Sequence, residues 1–123
     1  MSPKDLVSDY LARVRAKEGW ESLLSDELRF TNFTHPVKRV AGKQGSIEGI
    51  RRFYSMVTAL EVERIIADGK HVCALTRYEL QPPGGPAFES HVAEVFEVED
   101  GKITSLGIYF DSAPYPKPPT TTS

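Results

Sequence analysis

Between Phe88 and Glu99 the chain reads Phe-Glu-Ser-His-Val-Ala-Glu-Val-Phe-Glu-Val-Glu, an alternation with the period of a strand. Phe88, Ser90, Val92, Phe96 and Val98 share one face with Glu94 in their midst. A carboxylate on an apolar face must either be neutralised by a partner or hold its proton. Glu94 therefore marks either a structural ion pair or a cavity with acid–base chemistry. Arg77 is the candidate partner, and hairpin register decides between the two. If Leu80 opposes Phe88, then Ala74 opposes Glu94, and Arg77 meets His91 on the outer face. A one-residue offset brings Arg77 to Glu94 instead. With Arg77 inside, Glu94 or Glu79 is an ionised salt-bridge partner; with Arg77 outside, Glu94 is a neutral hydrogen-bond donor.

The other titratable residues give weaker signals. Tyr10 lies on the apolar stripe of a helix, where a core tyrosine is as natural as a functional one. His35 precedes Pro36 in a loop, as either a solvated histidine or a base poised near neutral pH. His91 and His71 read as surface residues. The three His and one Cys do not converge on a metal, and Gly42-Lys43-Gln44-Gly45-Ser46 is too irregular for a nucleotide loop.

The elements that must position these groups follow from periodicity and turn signals. Ser2-Pro3 with Asp5 starts a helix whose stripe of Leu6, Val7, Tyr10, Leu11 and Val14 runs towards Gly19. A short helix follows from Trp20 to Leu24, then a strand over Leu28–Phe33. A third helix opens at Gly45-Ser46, with Ile47, Ile50, Phe53, Tyr54 and Val57 on one face. Asp68-Gly69, Pro82 to Pro86 and Asp100-Gly101 separate four antiparallel strands, about Leu60–Ala67, His71–Leu80, Phe88–Glu99 and Lys102–Phe110. Helices followed by a meander predict an α+β fold, with helices on one face of a curved antiparallel sheet and a pocket between them. Trp20, Phe33, Phe53, Tyr54, Phe88, Val92 and Phe96 are the expected pocket lining.

At 123 residues the chain is long enough for one domain, expected over residues 1–113, with the Pro/Thr-rich residues 114–123 as an extended or disordered tail. A formal net charge of −2 with scattered Lys and Arg argues against nucleic acid, and no apolar run is long enough to span a membrane. A single cysteine, Cys73, and a start without a basic-then-apolar leader point to the cytoplasm. Ala93 and Val95, framed by charged residues on the outer sheet face, suggest a homodimer.

The order of elements, with Glu99-Asp100-Gly101-Lys102-Ile103-Thr104 and Tyr109-Phe110-Asp111 near the end, resembles the nuclear transport factor 2-like superfamily. The resemblance implies a cone-shaped antiparallel sheet wrapped around N-terminal helices, a cystatin-like α+β barrel. Two enzyme types within that group look similar. Against ketosteroid isomerase and its SnoaL-like polyketide-cyclase relatives, Tyr10 matches the oxyanion-holding tyrosine and Glu94 the acid kept protonated beside it. His35-Pro36 stands where the isomerase has its acid-Pro base. Against limonene epoxide hydrolase, Asn32 matches the water-holding asparagine and Arg77-Tyr78-Glu79 the Arg-x-Asp pair. Phe30 replaces that family's tyrosine, and Ile108 replaces its second carboxylate.

The resemblance thus implies a cofactor-independent isomerase- or cyclase-type enzyme that moves a proton next to the carbonyl of a small apolar molecule. Tyr10, His35 and Glu94 would carry the reaction, without a metal. A non-catalytic ligand-binding or dimerisation module of the same fold is the alternative, and an epoxide hydrolase using Asn32, Arg77 and Glu79 is a weaker one.

Overall fold

The structure, a computed structural model, describes residues 2–34, 40–41 and 43–115. Helix α1 spans Pro3–Ala16, and a short 3-10 turn follows at Trp20–Leu23. Strands β1 (Leu24–Asn32) and β2 (Val40–Ala41) precede helix α2 (Lys43–Ser55). The rest is the meander β3 (Val57–Asp68), β4 (His71–Leu80), β5 (Phe88–Glu99) and β6 (Lys102–Phe110).

Local chemistry accounts for the element ends. Ser2 Oγ accepts the Asp5 N–H at 3.1 Å, while the Ser2 N–H donates to Asp5 at 3.3 Å, a reciprocal capping box that satisfies donors the helix start leaves open. Lys17 and Gly19 then take left-handed backbone at φ 60° and 78°, which ends α1 three residues before the expected Gly19. Its stripe of Leu6, Val7, Tyr10, Leu11 and Val14 is buried as the spacing predicts.

The strands form one mixed sheet in the order β2-β1-β6-β5-β4-β3. The meander is antiparallel as expected, but β1 lies parallel to β6, with Phe30 beside Leu106 and Asn32 beside Ile108. The antiparallel expectation fails here because a parallel neighbour is reached through a long crossover, which leaves no hairpin signal. Nor is the sheet a closed barrel: β2 and β3 are its two edges. Register shifts at Val57/Ala59 and Val62/Arg64 in β3, and at Glu97/Val98 in β5, mark the bulges that bend such a sheet.

The β4–β5 register is the one that leaves Arg77 outside. Leu80 pairs with Phe88, Ala74 with Glu94 and Arg77 with His91. The buried face of the meander carries Val72, Ala74, Thr76, Tyr78 and Leu80 from β4, and Ser90, Val92, Glu94, Phe96 and Val98 from β5. Helix α1 packs on this concave face through β3, β4 and β5. Beyond the expected domain end at residue 113, Tyr115 packs its ring on Phe88 and Phe110 and hydrogen-bonds Ser90 at 2.7 Å.

Candidate functional site

A cavity of about 630 Å³ lies between α2 and the concave face of the sheet. Its walls are Phe30 and Asn32 of β1, Ile50, Phe53 and Tyr54 of α2, and Leu106, Ile108 and Phe110 of β6, with Tyr115 beside them. Glu94 is the only carboxylate among the described lining residues, and it is 2% exposed.

Two hydroxyls converge on this carboxylate. Tyr78 donates to Glu94 Oε2 at 2.8 Å and Thr76 to the same oxygen at 2.9 Å, leaving Oε1 without a partner among the described residues. Register explains the convergence. Thr76 is two residues along β4 from Ala74, which faces Glu94, and the longer tyrosine reaches from one step further on the same face. Burial pushes the Glu94 carboxyl up to about 7, against the two hydrogen bonds, which pull it down. Burial and the adjacent carboxylate raise Tyr78 well above its ordinary range, so it serves as a hydrogen-bond donor.

Behind the cavity wall a second buried pair forms. The hydroxyls of Tyr10 and Tyr54 lie 2.7 Å apart, and burial raises both. Trp20 presents its edge to Tyr54, as Phe96 and Tyr10 do to each other. Tyr54 also borders a second, smaller cleft of about 280 Å³ that contains Trp20, Lys17 and Arg51.

The expected site residues are thus divided. Glu94, Asn32, Phe53, Tyr54 and Val92 line the cavity; Tyr10 does not, and its hydroxyl is bonded to Tyr54 rather than to Glu94. His35 lies outside the described residues. Trp20 belongs to the smaller cleft, and Phe96 is fully buried against Tyr10. Phe88 packs on Tyr115 outside the cavity lining. Phe33 stacks on Tyr109, on the face opposite Ile108, because it alternates with Asn32, which lines the cavity beside Ile108.

Arg77 is held on the outer face by Glu61 at 2.6 Å, Glu89 at 3.1 Å and Glu79 at 3.4 Å, which keep its guanidinium charged. Asn32 and the Arg77–Glu79 pair therefore lie on opposite faces of the sheet, which separates the expected epoxide-hydrolase constellation. Ser46, Arg52 and Tyr78 line the cavity and Thr76 bonds Glu94 without lining it, and the sequence expectations named none of the four as site residues. For Thr76 and Tyr78 the signal was present in the inward alternation of β4. They read as core because nothing in one strand names its cross-strand partner.

Residues 7–106 match the family described as the SnoaL-like domain. The chain belongs to that family. No curated protein matches it in sequence. Among solved structures, this SnoaL-like chain is similar to an NTF2-like protein from Burkholderia thailandensis, at 20% identity and a TM-score of 0.76, covering 91% of this chain and 92% of that one. It is similar to an LEH-like epoxide hydrolase from M. tuberculosis at 27% identity and a TM-score of 0.72, covering 89% and 82%. A protein from Mesorhizobium loti described as a SnoaL-like polyketide cyclase superposes with a TM-score of 0.72 at 16% identity, covering 89% and 99%. The SnoaL-like chain thus has the α+β fold of the NTF2-like superfamily.

Among the described residues no group of His, Cys, Asp and Glu is arranged to hold a metal ion, and no helix is long and apolar enough to cross a membrane.

Proposed function

We propose that this SnoaL-like domain is a cofactor-independent enzyme that transfers a proton at a carbon next to the carbonyl of a small apolar compound, with Glu94 as the acid–base group. The observation that carries this reading is a buried carboxyl, the one carboxyl among the described residues that line a largely apolar cavity, with one oxygen pinned by Tyr78 and Thr76. Its proton affinity near 7 matches the range in which a group can both accept and return a proton at neutral pH.

The step balances on the carboxyl alone. Glu94 Oε1 takes the proton from the carbon next to the carbonyl, and the C–H electron pair moves into the carbonyl to give an enolate. The carboxyl then returns the proton to a second carbon of the conjugated system, and the Tyr78 and Thr76 hydroxyls hold Oε2 throughout. In this reading Glu94 is the base rather than one of an oxyanion-holding pair with Tyr10, Tyr78 orients it, and Tyr10 bonds Tyr54 instead.

The M. tuberculosis relative is named for epoxide hydrolysis, and Asn32 would suit that chemistry. The cavity lining offers Ile108 where a second carboxylate would be needed, which favours proton transfer over water activation. The test is isomerisation of a β,γ-unsaturated cyclic ketone, followed by absorbance of the conjugated product. Glu94→Gln is expected to lower turnover by ~10²–10⁴-fold with the fold intact. Full activity in that variant would overturn Glu94 as the acid–base group, whereas binding without turnover in the wild type would favour a ligand-binding module.

A further inference from the structure

Ser46, in the first turn of α2, lines the cavity but plays no part in the proton transfer. It is 6% exposed, and its Oγ, itself shut off from solvent, has no hydrogen-bond partner among the described residues. A buried hydroxyl left unpaired is costly, and native interiors avoid it unless a ligand or water completes the bond. Gly45 and Gly49 flank it in the wall, and a Cβ at Gly49 would meet nothing within 4 Å, so the surface there is open to close approach. The positive end of the α2 dipole lies at the same place and favours an electron-rich atom.

The other polar pole is fixed by Phe53, whose ring meets Tyr78 edge-on at 5.2 Å, next to Glu94. Ser46 and Phe53 are seven residues apart on one helix, about 10 Å along its axis. The wall between the two poles is mostly apolar, with Ile50, Leu106 and Ile108, while Asn32 and Arg52 also line the cavity.

We infer that Ser46 is a ligand-binding residue, and that the cavity takes an elongated apolar compound with its reacting carbonyl end beside Glu94 and, at the far end, a second carbonyl or ether oxygen accepting from Ser46 Oγ. This rests on the proposed role of Glu94 and names the substrate class for it.

The probes are a linear methyl ketone of eleven carbons and the diketone of the same chain with its second carbonyl one carbon from the far end. Their binding to wild type and Ser46→Ala is measured by calorimetry. For the diketone, Ser46→Ala is expected to weaken binding ~3–10-fold, the worth of one neutral hydrogen bond, with the monoketone unchanged. Its melting temperature is expected to stay level or rise, because an unpaired hydroxyl has been removed.

Equal effects on both ketones would overturn the role of Ser46 while leaving that of Glu94 standing. A melting temperature several degrees lower would do the same, since the hydroxyl would then have a structural partner. Binding of neither ketone to the wild type overturns the substrate class, whereas full turnover of the β,γ-unsaturated ketone by Glu94→Gln overturns the role of Glu94 on which this inference rests.

Discussion

At the scale of single residues, the division of labour among three tyrosines is the main result. Tyr78 donates to Glu94 at the cavity wall, whereas Tyr10 is fully buried and spends its hydroxyl on Tyr54. Tyr10→Phe is therefore expected to cost ~1–3 kcal/mol of stability, because it leaves the Tyr54 hydroxyl buried without its partner. Turnover should change by no more than a few-fold, whereas Tyr78→Phe should lower it clearly. Denaturant melts and initial rates on the same three proteins check this, and a Tyr10→Phe enzyme as crippled as Glu94→Gln would return Tyr10 to the reacting centre. The type of Glu94 and its place on an apolar face were legible in the sequence. That Tyr78 rather than Tyr10 bonds it was not, because which hydroxyl reaches a carboxylate depends on how far α1 stands off the sheet, a tertiary spacing that no strand pattern encodes.

At the scale of elements, the hairpins were legible and the crossover was not. Asp68-Gly69 and Asp100-Gly101 mark tight turns, with Gly69 at φ 59°, Asp100 at φ 52° and Gly101 at φ 73°, and alternation then sets the face of every residue in β4 and β5. The parallel β1–β6 contact has no such signal, and it sets Asn32 beside Ile108 on the cavity side, which leaves Phe33 on the other face. One consequence can be tested at Gly107 on β6. A Cβ built there would lie 2.6 Å from Phe33 Cε2, closer than real contacts allow, so the glycine makes room for the ring that stacks on Tyr109 at 4.6 Å. Gly107→Ala should destabilise the domain by ~1–3 kcal/mol through overpacking. Adding Phe33→Ala should recover part of the loss, as a double-mutant cycle by chemical denaturation would register. Strict additivity of the two changes would mean that the ring and the glycine do not depend on each other.

At the scale of the whole molecule, the sheet and α2 enclose a largely apolar space into which one carboxyl among the described residues is forced, and stability should carry its signature. The Glu94 carboxyl is raised in the folded state from 4.5 to about 7, so the native protein binds the proton more tightly than the unfolded chain. The sign follows from linkage. Below 4.5 both states are protonated and stability is full; between 4.5 and 7 the unfolded state ionises first and stability falls; above 7 the deficit is constant. Its size is about 3 kcal/mol for a shift of this extent. Glu94→Gln removes the term, so the variant should gain on the wild type as pH rises from 4 to 8, a difference that urea unfolding at the two pH values measures. The α+β class and the helix and strand order were legible because each element carries its own periodicity. The openness of the sheet and the shape of the cavity were not, since both depend on the cumulative bend of several strands.

The central claim is that this carboxyl is poised to exchange its proton within the neutral range, and the most direct measurement is a carbon-13 NMR titration of the Glu94 side-chain carboxyl, assigned by its loss in Glu94→Gln. The account predicts a midpoint near 7. A midpoint at the ordinary carboxylate value near 4.5 would contradict it.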